Sequence, residues 1–76
     1  MTKQEAEQEA VRRWYLLPEH QRETYEQAEA YADRLDAELE FHTVTARRRL
    51  IAAWLIREVT EQNKLARLAR AEQRAA

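Results

Sequence analysis

Few residues in this 76-residue chain could do chemistry, and their spacing does not assemble a reaction centre. Cysteine and serine are both absent, which removes thiolate and seryl nucleophiles, disulfides and thiolate zinc sites. Threonines 2, 24, 43, 45 and 60 have no base at an activating spacing. His42 follows Glu38 by four residues, a step that on a continuous helix would put both on one face as metal ligands. A metal needs a third and fourth ligand, and no HExxH or ExxH run supplies them. His42 reads instead as a residue near a helix C-terminus, where the dipole favours a cation. His20 stands between Glu19 and Glu23 in a charged, solvated turn. The sequence therefore assigns no catalytic residue, metal or cofactor, and no enzyme is expected.

Arg47, Arg48 and Arg49 break a local rule. Three cations at the start of a helix oppose the positive end of its dipole. Such a conflict can mark a functional place. In one reading these arginines and the free helix N–H groups grip phosphate, with Arg57, Lys64, Arg67, Arg70 and Arg74 extending a basic stripe. In the other, favoured reading, an antiparallel hairpin turning near Thr43 brings the cluster beside Asp36, Glu38 and Glu40, which neutralise it. The charge distribution agrees with both. Residues 1–42 hold five basic and eleven acidic side chains, whereas residues 43–76 hold eight and three. A net charge of −1 argues against a strong polyanion binder.

These side chains must be positioned by helices. Glycine is absent and Pro18 is the one proline, so the chain has little of the punctuation that strands and hairpins require. Thr2 and Glu5 form a capping box for a helix over about 3–16, which Pro18 ends by disfavouring helical geometry at Leu17. Pro18 suits a first helical position, and the spacing predicts a second helix over 18–40. Its seam, Tyr25, Ala28, Ala32, Leu35 and Leu39, alternates steps of three and four. The segment 41–45 breaks that pattern, and a third helix is expected over about 44–70, with 71–76 as a frayed tail. The predicted fold is all-α: three helices in a single small domain spanning 1–76, the second and third an antiparallel hairpin.

Leu50 to Ile56 is an unbroken apolar run of seven residues, nearly two helical turns, and has no polar face. A helix apolar all round must be covered all round, which one small chain is not expected to achieve. A core of this size is also marginal, and without disulfide or metal the remaining stabiliser is a second copy. The expected function is a small, non-catalytic, homodimeric protein-interaction module with an unknown protein partner. Its candidate interface residues are Trp14, Tyr15, Tyr31, Leu50, Trp54, Leu65 and Leu68. The alternative is a nucleic-acid-binding regulator contacting its target through Arg47, Arg48, Arg49 and the basic side of the third helix. No membrane role is expected, since no apolar stretch approaches bilayer length and no secretion signal follows Met1; the location expected is cytoplasmic.

Overall fold

A computed structural model describes the chain over residues 1–75, with side chains through residue 72. It is all-helical: α1 (Lys3–Leu16), a 3-10 turn (Glu19–Gln21), α2 (Tyr25–Glu38) and α3 (Arg47–Ala75). The described residues contain no strand.

Local chemistry sets each boundary. The Thr2 hydroxyl accepts the Glu5 N–H at 3.1 Å, and the Glu5 carboxylate accepts the Thr2 N–H at 3.2 Å, closing the predicted capping box. Hydrogen bonding of this carboxylate to the Thr2 backbone N–H, then to the Thr2 side chain, holds the Glu5 carboxyl below its ordinary pKa. Leu17 turns extended ahead of Pro18, so α1 stops where proline requires it to.

The second helix does not begin at Pro18. The chain makes one 3-10 turn, and α2 restarts after Thr24. A second capping box causes the restart. Thr24 accepts the Gln27 N–H at 3.1 Å, while the Gln27 amide oxygen accepts the N–H groups of Glu23 and Thr24. The same amide donates to the His20 carbonyl at 2.8 Å, locking the short turn against the helix. Leu39 ends α2 in extended geometry, two residues short of the predicted end.

Residues 39–46 form the joint. Phe41 folds back from it onto Trp54, with ring centroids 5.6 Å apart. Ala46 accepts the first α3 hydrogen bond from Leu50, placing the helix start three residues later than predicted. α2 and α3 are antiparallel: Asp36 at the end of α2 meets Arg47 at the start of α3, and Tyr25 at the start of α2 reaches Thr60. α1 crosses this hairpin. Glu7 and Tyr15 lie two turns apart on α1, yet they bond Arg57 and Glu58, which are adjacent on α3.

The core gathers Ala6, Ala10 and Trp14 from α1, the seam Ala28, Ala32, Leu35 and Leu39, and Ile51, Leu55 and Val59 from α3. Alanine at four of these positions lets the backbones approach closely. Tyr25, the first seam residue expected, is half exposed because it is the first residue of α2. The Leu50–Ile56 run is covered more fully by its own chain than its composition suggests. Ile51, Ala52, Trp54 and Leu55 are buried, Leu50 and Ile56 are half-buried, and Ala53 alone is exposed. The chain thus covers most of the run without shielding it fully, since Leu50, Ala53 and Ile56, which share one side of α3, keep some exposure. The cover comes from α2, from α1 crossing above, and from Phe41 closing the third side.

Candidate protein-interaction surface

Intrachain carboxylates take up most of the arginine cluster. Arg47 bonds Asp36 at 3.0 Å, and Arg48 bonds Asp33, which holds its guanidinium pKa above the ordinary value. Asp33 and Asp36 are three apart on α2, so they share a face and meet successive arginines of the antiparallel helix. Neutralisation by α2 was the expected outcome, and Asp36 takes part as expected, while Asp33 rather than Glu38 or Glu40 supplies the second carboxylate. Glu38 instead takes Arg13 of α1 at 2.8 Å. Arg49 is exposed and makes no ion pair among the described residues. The three cations therefore do not converge on one anion.

Arg13 also holds Glu9 at 2.7 Å, and Arg12 holds it at the same distance. Hydrogen bonds from Arg12, then Arg13, pull the Glu9 carboxyl down to about 2. This carboxylate braces α1 against α2 through Arg13.

The proposed metal pair is also dispersed. α2 ends at Glu38, so His42 lies in the joint and the one-face argument no longer applies. His20 is exposed in the 3-10 turn. Among the described residues, no three carboxylate or histidine side chains stand close enough to hold a metal ion.

The candidate interface residues divide into two groups. Trp14 and Trp54 lie in the core and offer nothing to a partner. Trp14 packs beside Tyr31 at 5.9 Å, and Arg34 stands over the outer side of the Tyr31 ring, leaving it half-buried. Leu50 is half-buried as well. Tyr15 is 45% exposed and donates to Glu58 at 3.0 Å, with the Arg22 guanidinium 5.3 Å above its ring. Burial, then the bond to Glu58, pushes its phenol pKa up. Leu65 and Leu68 are 65% and 53% exposed.

Leu65 and Leu68 owe their exposure to the length of α3. A 29-residue helix is about 43 Å long, against about 21 Å for each 14-residue partner. The molecule is accordingly 49 Å in its long dimension and at most 20 Å in the others. The hydroxyls of Tyr15 and Tyr25 hold α3 at Glu58 and Thr60, where it leaves the bundle. No described side chain after Val59 is buried, and only Gln62 is half-buried.

The stripe that packs the core nonetheless continues. Steps of three and four lead from Ile51 through Leu55, Val59 and Gln62 to Leu65 or Ala66, then to Ala69. Helical geometry thus carries the core-facing side of the first half onto the bare second half. Leu68 stands at its edge, with Lys64 one turn before it. Lys64, Arg67 and Arg70 make no ion pair among the described residues. At the root, the Gln62 amide oxygen is buried with no hydrogen-bond partner among the described residues, as is the Trp14 indole N–H.

Exposed Leu16 and Tyr25, absent from the sequence candidates, flank this root on the ends of α1 and α2. Tyr25 was readable: the T-x-x-Q run that restarts α2 removes it from the seam. The helical extension itself was legible only as a third helix longer than the second.

Comparison with known protein families, curated proteins and solved structures returns no match for this chain.

Proposed function

We propose that this protein is a small, non-catalytic helical interaction module that pairs with a second copy of itself through the projecting half of α3. One observation carries the reading. The apolar stripe that seals the core through Val59 continues past the end of the bundle, with Leu65 exposed on it and Leu68 exposed at its edge. An isolated helix of about 15 residues is marginal in water, and most helices owe their stability to a packed face. A partner on that face supplies the packing that α1 and α2 cannot reach. The case rests on this extension rather than on the Leu50–Ile56 run, which the chain largely covers itself.

The dispersal of His20, His42 and the carboxylates supports a non-catalytic role. No described helix is long and apolar enough to cross a membrane, and a cysteine-free chain fits a reducing, cytoplasmic location. Sedimentation equilibrium tests the central statement. A dimer that weakens in Leu65→Ala/Leu68→Ala while the monomer stays helical supports it, and a chain that remains monomeric throughout the micromolar range removes it.

A second reading keeps one specific support. Arg49, Lys64, Arg67 and Arg70 on α3 make no ion pair among the described residues, so a nucleic-acid backbone would meet cations there even with Arg47 and Arg48 engaged. A salt titration of DNA binding separates the two. The nucleic-acid reading requires binding at low salt that weakens steeply as salt rises.

A further inference from the structure

We infer that the side of the projecting half of α3 that turns away from its leucines binds the phosphate backbone of a nucleic acid, through Lys64, Arg67 and Arg70. This deepens the second reading above and rests on it, moving the contact from the Arg47–Arg49 cluster to three cations beyond the bundle.

Helical geometry separates the charges. Arg67 and Arg70 stand on the side of α3 opposite Leu65, whereas Glu61 and Glu72 stand on the side of the leucines. Lys64 lies between the two sides, one turn before Leu68. A ligand approaching Arg67 and Arg70 therefore meets no carboxylate of the projecting half. All three cations are exposed and make no ion pair among the described residues. The bundle half differs, because α2 lies alongside it. There Asp36 and Asp33 engage Arg47 and Arg48, and the charge of Glu29 also acts on Arg48. α2 begins at Tyr25, which meets α3 at Thr60, so this acidic helix does not run beside residues 64–70. Residues 60–75 accordingly hold four cations and two carboxylates in a chain whose net charge is −1.

The chemistry of this side selects the ligand. Beside its cations it presents Asn63 and Ala71, both exposed, and no apolar side chain larger than alanine. A protein partner would find nothing there to pack against, whereas a phosphate backbone is held by charge and hydrogen bonds alone. Arg67 and Arg70 each offer a planar fork of N–H donors that matches two phosphate oxygens, and Lys64 adds a point charge. From Lys64 to Arg70 the helix rises about 9 Å, so the contact is short and sensitive to salt. Leu65 stays free on the opposite side, and a second copy and a nucleic acid do not compete for it.

A salt titration with a short DNA duplex of arbitrary sequence tests the assignment. Three phosphate contacts predict a log–log slope near about −2.7 per chain, which is about a fortyfold loss of affinity for a fourfold rise in salt. Lys64→Gln/Arg67→Gln/Arg70→Gln keeps good helix formers at exposed positions. It should bind at least about tenfold more weakly at low salt and lose most of that slope, while Arg49→Gln changes little. A triple variant with the affinity and slope of the unmodified chain overturns the placing and leaves the nucleic-acid reading standing. An unmodified chain that binds no duplex at low salt removes both. Poly-glutamate bound as tightly as the duplex overturns the phosphate backbone as the ligand. If the triple variant loses its helicity, the unmodified chain supplies a second measurement, because its only lysines are Lys3 and Lys64. Saturating duplex should slow acetylation of Lys64 and leave Lys3 unchanged; a Lys64 rate unaffected by bound duplex overturns the assignment.

Discussion

Trp14 combines complete burial with an indole N–H that has no partner among the described residues. Truncation to alanine should therefore cost about 3–5 kcal/mol, enough to unfold so small a domain. Trp14→Phe should cost much less, because the donor it removes bonds nothing; thermal denaturation followed by circular dichroism distinguishes the two. Glu9 gives a pH prediction with a definite sign. Its folded pKa of about 2 lies below the ordinary 4.5, so its contribution is complete above pH 4.5 and is lost as pH falls towards 2. Stability of the native chain should decline over that interval, and the decline should be shallower in Glu9→Gln. Tyr15 runs the other way. A raised phenol pKa gives stability that is present below the ordinary value near 10 and lost at more alkaline pH. Glu58→Gln should bring the Tyr15 titration back towards that value in an ultraviolet absorbance experiment. At this scale the sequence was readable where the interaction was local, as for Thr2 with Glu5. It was not readable for Trp14 and Trp54, since their burial depends on α1 crossing the hairpin and on Phe41 folding back. Those are contacts across tens of residues, which periodicity does not encode.

Among the helices, α2 and α3 show opposite relations between pattern and outcome. The Ala28–Ala32–Leu35 seam packs inward as its spacing predicts, because a stripe of this kind has one stable place. The start of α2 moved because a good N-cap at Thr24 outweighed a permissive proline at 18. Thr24→Ala should accordingly cost about 1 kcal/mol and expose the Glu23 and Thr24 amides to faster hydrogen exchange. The arginine cluster was legible as a charge problem and as its solution by α2. The specific partner of Arg48 was not, since the register between helices decides whether Asp33 or Glu40 faces it. α3 divides at the two tyrosine contacts. Amides of Ile51, Leu55 and Val59 should exchange at the rate of global unfolding, whereas those beyond Gln62 in the monomer should exchange far faster, with protection appearing as concentration rises.

For the molecule as a whole, the main asymmetry is one of length: a bundle two short helices deep from which a third extends as far again. The bundle explains how 76 residues without disulfide or glycine fold, by packing alanine-spaced helices around two tryptophans. The extension adds nothing to the core and exposes Leu65 and Leu68, which is the ground for the proposed association. Concentration-dependent sedimentation of the unmodified chain beside Leu65→Ala/Leu68→Ala tests this most directly. The account predicts a reversible dimer for the first, and for the second a monomer of unchanged helical content. A monomer for both, or an equally tight dimer for both, would contradict it.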